Sequence, residues 1–387
     1  MQNNRILIVS NFFYPEITPR AFRVKELAIA FCKKGYRVDV LLPNKEIYKQ
    51  NSIGYIKGLT ILYSDEPIIK TQSNKKSEIG NKKSTLELRD SGLMKLKKCF
   101  FYFFPREIYQ TYNKGITKVL VNNKIKYKAV ISISHPLSIH IAVMIGILLN
   151  KNIKKSVAIA EFSDPLFKGK LSSVFPTNHL FGFFFACCFD HFVVPIEQAK
   201  VKFNLFKKKN ISVIPQGFDF SNIIIKEYLK NEVPIFAYAG SFYEKLRDPT
   251  YFLEALTTID KNFLFILYLS SKNTVYRTLI EHYEDKIKGK IKILDFIPRE
   301  DLINELSTVD FLVNFDNENQ SMNPSKLIDY ALTKRPILSF NSTNFNINTF
   351  ISFLDGKYNG AIDVDINNYS IDRVSNKYKK LIENENP

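Results

Sequence analysis

A chain of 387 residues that is 45% hydrophobic and 24% charged is long enough for two or three domains with sizeable cores, which excludes small stapled scaffolds and wholesale disorder. Its 55 Lys and Arg against 38 Asp and Glu leave a net charge of +17, and the excess is concentrated, with 15 basic and 4 acidic residues between Lys70 and Lys128. A patch of this kind implies an anionic neighbour; no zinc-finger spacing, RNA-recognition signature or Gly-rich basic tail accompanies it, so anionic lipid or a phosphorylated substrate is expected and nucleic acid is not.

Cys32, Cys99, Cys187 and Cys188 form no CxxC pair and no zinc pattern with His, which implies a reducing compartment. Met1 to Arg5 leads straight into an apolar strand of five residues, too short for a signal-peptide core. The most apolar stretch, Phe181 to Val194, is broken by Asp190 and His191, so no spanning helix is expected. The expectation is a cytoplasmic protein in peripheral contact with the inner face of the cell membrane.

In chain order, Ile6 to Ser10 reads as a buried strand, Arg20 to Lys34 as a helix and Val38 to Leu42 as a second strand. Within the helix Val24, Leu27, Ala28 and Phe31 form an apolar stripe, Arg23, Lys33 and Lys34 lie off it, and Gly35 supplies a left-handed cap. The polar, basic stretch Gln72 to Asp90 reads as an exposed loop or insertion. In Lys95 to Arg106 cations flank five aromatics, a pattern that suits either a membrane-surface segment or a core helix with a solvated Lys face. Strand Ala129 to Ser134, helix Leu137 to Asn150 and strands Val157 to Glu161, Phe192 to Pro195 and Ile211 to Pro215 complete the first half. A polar connector then runs to about Asn231.

The second half repeats the logic: strand Ile235 to Ala239, helix Pro249 to Thr258, strands Phe263 to Leu269 and Ile291 to Phe296, helix Pro298 to Thr308, strand Phe311 to Phe315, helix Pro324 to Thr333 and strand Pro336 to Phe340. Alternating strands and helices give parallel sheets covered on both faces. The fold class is therefore α/β, with two Rossmann-like doubly wound domains facing across a cleft. The expected boundaries are 1–216 for the first domain, 217–231 for a linker, 232–365 for the second domain and 366–387 for a terminal helix packing back on the first domain. Such sheets bind ligands at the carboxyl ends of their strands.

Asn323 is a good N-cap and Pro324 suits the first helical position, so the amides of Ser325, Lys326 and Leu327 point unpaired from a helix start. That is an anion site to which Lys326 adds a cation and Ser325 a hydroxyl, while Asp329, one turn on, is placed to accept hydrogen bonds from a ribose diol. The bland alternative is a well-capped amphipathic helix with an exposed Lys. Gly240 and Ser241 end a strand where backbone can approach a ligand, and Lys245 and Arg247 follow on a loop, as diphosphate ligands or as solvated cations. Asp248 and Pro249 read as N-cap and first residue of the next helix. Asp164 at a strand end is a general-base candidate or an Asx-turn residue; His135, before Pro136, is a cleft-edge or a structural His; Arg20 is a cleft-facing or a surface cation. Asp363 and Asp365 have the letters of a metal motif but lie in a polar tail.

With these stretches quoted, the chain resembles the GT-B-fold glycosyltransferases of the large retaining family called group 1 or family 4, in the style of bacterial enzymes that build cell-surface polysaccharides. The matching stretches are Asn11 to Glu16 with its helix, Ser134 to Ser138, Phe162 to Pro165, Val193 to Pro195, Ile214 to Asp219, Gly240 to Pro249 and Pro324 to Pro336, in the family's order along nearly the whole chain. The resemblance implies a nucleoside-diphosphate sugar, UDP-linked in preference, held by the second domain, with Lys245 and Arg247 near the diphosphate and Asp329 on the ribose. It implies a glycan or lipid-linked acceptor on the first domain. It implies retaining transfer without metal or other cofactor, the leaving diphosphate itself taking the acceptor proton. Three departures stand out: Ser321 replaces the first Glu of the family's acidic pair, so the group that contacts the donor sugar is missing or supplied by Glu318 or Gln320; Asp329 is a methylene shorter than Glu; and Ile17 to Arg20 lacks the family's Gly pair. The competing readings are an inverting transferase or nucleotide-sugar epimerase of the same fold, which would lean on Asp164 or His135, and an inactive donor-binding scaffold.

Overall fold

The computed structural model describes residues 4–16, 18–50, 53–67, 113–134, 136–162, 187–200, 211–221, 223–242, 247–269, 274–287, 289–316 and 325–383. The chain divides into two units, one made of residues up to Phe218 together with those from Ile371, the other of Asp219–Ser370.

The first unit opens with β1 (Arg5–Val9), α1 (Pro19–Lys33), β2 (Arg37–Asn44), α2 (Glu46–Gln50) and β3 (Leu59–Pro67). It continues with α3 (Lys114–Val121), β4 (Ala129–Ile133), α4 (Ser138–Leu149), α5 (Lys151–Lys154), β5 (Val157–Glu161), β6 (His191–Val194), α6 (Glu197–Lys200) and β7 (Ile211–Val213). Among the described residues the strands form one parallel sheet in the order β3-β2-β1-β4-β5-β6-β7. Ile6, Ile8, Val38, Val40, Ile131 and Ile159 face one core with Val24, Leu27 and Phe31 of α1; Leu7, Val9, Val130 and Ala158 face the other with Ile139, Val143 and Ile147 of α4. Burial on both faces is why these strands are nearly continuous apolar runs.

Helix α1 begins one residue earlier than the apolar stripe suggests, because Thr18 caps it, its Oγ1 accepting from the Ala21 amide at 3.2 Å. Gly35 has φ +84°, the left-handed geometry that ends the helix. Arg23 departs from the surface position expected of a residue off the stripe. It is 9% exposed because its guanidinium reaches the Glu161 carboxylate at the end of β5.

The second unit contains β8 (Ile235–Ala239), α7 (Thr250–Thr257), β9 (Leu264–Tyr268), α8 (Thr274–Lys286), β10 (Ile291–Leu294), α9 (Arg299–Leu306), β11 (Phe311–Phe315), α10 (Ser325–Leu332), β12 (Ile337–Phe340) and α11 (Ile347–Leu354). Its parallel sheet runs β10-β9-β8-β11-β12. One face is dominated by aromatics: Phe236 stacks on Phe265 and Phe311 at centroid distances of 4.6 and 5.0 Å and meets Phe350 edge-on at 5.2 Å. The stretch after Asp219 belongs to this unit. Tyr228 Oη and Asn231 Nδ2 donate to the Asp310 carboxylate at 2.5 and 2.9 Å, and the Ile235 amide donates to the same group at 2.8 Å. Asp248 is not the N-cap of α7, a place taken by Pro249; instead its Oδ1 accepts from the Thr250 amide at 2.9 Å.

The chain returns to the first unit as α12 (Ile371–Glu383). Ile371, Val374, Tyr378 and Ile382 recur at helical spacing and are buried, and α12 packs on α1, with Tyr378 edge-on to Phe31 at 6.5 Å. A Cβ on Gly217 would stand 2.7 Å from Ile371 Cδ1 and 3.1 Å from its Cα, so this glycine is what lets α12 approach so closely.

Candidate functional site

In the second sheet the order reverses between β8 and β11, so consecutive connections leave in opposite directions and open a crevice at the carboxyl ends of those strands. Strand β8 delivers Ala239 and Gly240 to that edge, β11 delivers Phe315 and Asp316, and α10 starts nearby. Gly240 has φ +153°, and a Cβ there would stand 3.0 Å from Tyr238 Oη, which donates to the Ser241 carbonyl at 3.2 Å. Tyr238 is buried and stacked on Phe242 at 4.7 Å. It also meets Phe315 edge-on at 4.9 Å, and Lys326 Nζ lies 4.3 Å from its ring centroid.

Lys326 is the unusual group here. Its stem is half-buried, yet its amino nitrogen is sealed from solvent and has no hydrogen-bond partner among the described residues. Burial pushes the amine well below its usual range, the Arg247 guanidinium adds to that shift, and Asp316 opposes it. A surface Lys on a capped helix would show none of this. Arg247, half-buried after β8, therefore shares a field with Lys326 at the switch point.

One turn on, Asp329 is held by Arg299 from the first turn of α9. Nε and Nη2 donate to the single oxygen Oδ1, at 2.8 and 2.5 Å, which leaves Oδ2 available as an acceptor among the described residues. Burial raises the carboxyl above its ordinary range and Arg299 pulls it back. Tyr330, next in α10, is wholly buried; its hydroxyl accepts from the Ala239 amide at 2.7 Å, which ties α10 to the end of β8. Leu327 packs beside Ala237 and Ala239 as part of the core. Sequence reasoning missed Arg299 and Tyr238. Arg299 carries no local signal, since it lies 30 residues from its partner, whereas an aromatic two residues before a strand-ending Gly was visible.

Thus Gly240, Ser241, Arg247, Lys326, Leu327 and Asp329 are gathered around one strand edge. Ser325 opens α10, and nothing is described of its side chain. His135, Asp164, Lys245, Asn323 and Pro324 lie outside the described residues, as do Glu318, Gln320, Ser321 and the segment Lys95 to Arg106. Asp365, half of the metal-like pair, caps a short turn, accepting from the Asn367 amide at 3.0 Å and Asn368 Nδ2 at 2.7 Å.

The first unit has its own switch point, between β1 and β4. Phe12, in the loop after β1, is flanked by Arg20 at the start of α1 and by Lys45 just after β2, 5.5 and 4.9 Å from its ring centroid. Lys45 Nζ also donates to the Asn11 carbonyl at 2.8 Å and to Glu16 at 2.7 Å, and Tyr48 Oη donates to Glu16 at 2.6 Å. These bonds pin the loop that leads into α1. No helix among the described residues is long and apolar enough to cross a membrane.

No protein-family profile matches the chain, and no curated protein sequence matches it either. Solved structures do. A glycosyltransferase from Rickettsia africae matches at 13% identity and TM-score 0.58 over 100% of both chains. Anabaena Alr3699/HepE in complex with UDP matches at 11% identity and TM-score 0.59 over 98% of this chain and 100% of that one. The lipopolysaccharide outer core galactosyltransferase WaaB matches at 10% identity and TM-score 0.58 over 99% and 100%. With its two parallel α/β sheets, the chain has the GT-B fold of the glycosyltransferases.

Proposed function

We propose that the protein is a glycosyltransferase that moves a hexose-type unit from a UDP-sugar to a glycan or lipid-linked oligosaccharide in cell-surface polysaccharide synthesis. The carrying observation is the buried amine of Lys326, without a hydrogen-bond partner among the described residues and beside Arg247, at the switch point of the second sheet. Two cationic side chains and the amides that open α10 are what a diphosphate needs, and Asp329 Oδ2 is an acceptor one turn away for a ribose hydroxyl. The likeness to a UDP complex of the same fold supports the same reading.

The mechanism that follows is electrostatic. As the sugar–phosphate bond breaks, negative charge grows on the leaving diphosphate, and Lys326, Arg247 and the α10 amides stabilise it where it develops. Those cations supply the charge that metal-dependent enzymes take from an ion, so we assign metal-independent transfer with retention, the diphosphate receiving the acceptor proton. The acceptor is assigned to the first unit, with Arg20, His135 and Asp164 on its side, and peripheral contact with anionic lipid at the inner membrane face suits a lipid-linked acceptor.

Calorimetric titration with UDP, GDP and ADP in chelator tests the donor site. One diphosphate, UDP, should bind, and each of Arg247→Ala and Asp329→Ala should weaken it about 10- to 150-fold, the equivalent of one charge-assisted hydrogen bond of about 1.5–3 kcal/mol. Folded protein that binds none of the three refutes the assignment. Binding without sugar transfer would identify a donor-binding scaffold.

A further inference from the structure

The state of the Lys326 amine in the empty site leads beyond the identity of the donor. An ammonium sealed from water and without a hydrogen-bond partner among the described residues is costly to hold, and the face of one tyrosine returns only part of that cost. The surroundings do not make up the difference. Tyr238 of β8 offers only its ring, Arg247 from the loop after β8 repels a second positive charge, and among the described residues Asp316 at the end of β11 is the carboxylate acting on the amine. On α10 itself, Asp329 is committed to Arg299 of α9 and the Tyr330 hydroxyl to Ala239. The neutral amine is the cheaper state until an anion arrives.

Resting on the donor-site reading above, we infer that Lys326 is unprotonated in the empty site and takes up one proton as the donor diphosphate enters, so that nucleotide binding and protonation of this side chain are a single linked event. The step is balanced: water or buffer gives the proton, the neutral amine becomes an ammonium, and no bond of the donor changes. The diphosphate supplies the hydrogen-bond acceptors the amine lacks, and its charge offsets the repulsion from Arg247. After transfer the diphosphate, now carrying the acceptor proton, bears the same charge as it did in the donor, so the ammonium keeps its anion until product leaves and the amine then returns its proton to water. Arg247 cannot take this part, because a guanidinium keeps its charge throughout.

The test is calorimetry of UDP binding at pH 8.5 in two buffers of different ionisation enthalpy. That pH is about two units above the second phosphate ionisation, so the nucleotide brings no titration of its own. Uptake approaching one proton per UDP is expected for the unsubstituted protein, with affinity falling about tenfold per pH unit between the free and the liganded pKa of the amine. Lys326→Met should bind UDP more weakly with no uptake and a flat profile, while Asp316→Asn should keep the uptake. UDP binding with no proton uptake overturns this inference and leaves the donor site standing. No UDP binding by folded protein overturns both. Uptake that survives in Lys326→Met assigns the proton elsewhere and also overturns it. The measurement on the unsubstituted protein decides the matter even if the variant does not fold.

Discussion

Helix α12 is tied to the first sheet by a buried polar contact that can be taken apart one partner at a time. Tyr378 Oη donates to Glu161 at the end of β5, Arg23 of α1 donates to the same carboxylate, and all three side chains are buried. Burial and the neighbouring carboxylate push the Tyr378 phenol well above its usual range, so it remains a donor at any ordinary pH. Tyr378→Phe removes one hydrogen bond to a charge, about 1.5–3 kcal/mol. The apolar side chains Ile371, Val374 and Ile382 contribute about 1.5–3 kcal/mol each and are untouched, so the helix should stay docked but open more often. Hydrogen exchange reads that opening directly: amides of Ile371–Glu383 should exchange about 10- to 150-fold faster, with the rest of the first unit little changed. Arg23→Met leaves a buried carboxylate without its cation and should lower the denaturant stability of this unit by about 3–5 kcal/mol. Replacing Arg23, Glu161 and Tyr378 together by Met, Leu and Phe should recover most of that loss. Unchanged α12 exchange in folded Tyr378→Phe would refute the claim that Glu161 helps to hold the helix.

Two further outcomes concern Asp329 and His140. Arg299→Met should weaken UDP binding about tenfold, as for one partly exposed charge-assisted bond, because Asp329 then loses the group that opposes the upward push of burial. The deficit should grow as pH is lowered, since protonation removes the ribose acceptor; an affinity and pH profile equal to those of the unsubstituted protein would show that Arg299 does not position Asp329. His140, wholly buried on α4 against Ser132, is pushed down to about 3 by burial and is therefore neutral in the folded state, whereas in the unfolded chain it protonates near 6.5. Its contribution is complete above about pH 6.5 and is lost as pH falls from there toward 3. Urea unfolding should show a stability loss of about 2 kcal/mol between pH 6.5 and 5 that His140→Gln lacks, and equal losses in both proteins would remove His140 as the cause.

The sheets were legible because their strands are apolar on both faces: runs such as Ile6–Val9 and Phe311–Phe315 have no amphipathic alternative. Helices were legible where one face is apolar, as in α1 and α10. Helix α8, Thr274–Lys286, was not read from the sequence, since charged and polar residues separate Ile280, Tyr283 and their neighbours and leave a thin stripe. The burial of Arg23 was not legible for a different reason. Local pattern places it off the stripe of α1, but its partner Glu161 is 138 residues away and a helix from the chain's far end covers them both. A charged residue ending an otherwise apolar strand, as Glu161 does, was the available signal of a buried ion pair.

The donor-side residues divide along the same line between local pattern and distant contact. Gly240, Arg247, Lys326 and Asp329 are recognisable singly, because each stands at a strand end or a helix start where such chemistry is used. What they can do depends on contacts that no local window contains: Tyr238 seals the Lys326 amine, and Arg299 takes one oxygen of Asp329 and leaves the other. Sequence position leaves Lys326 as an anion ligand or a surface cation. Burial without a hydrogen-bond partner among the described residues separates the two, since a cation meant only for solvent has no reason to bear that cost. The same burial that makes Lys326 a poor resting cation makes it sensitive to an arriving diphosphate, and Arg299, by occupying Oδ1 alone, opposes the upward push of burial on Asp329 and leaves it an acceptor to spare.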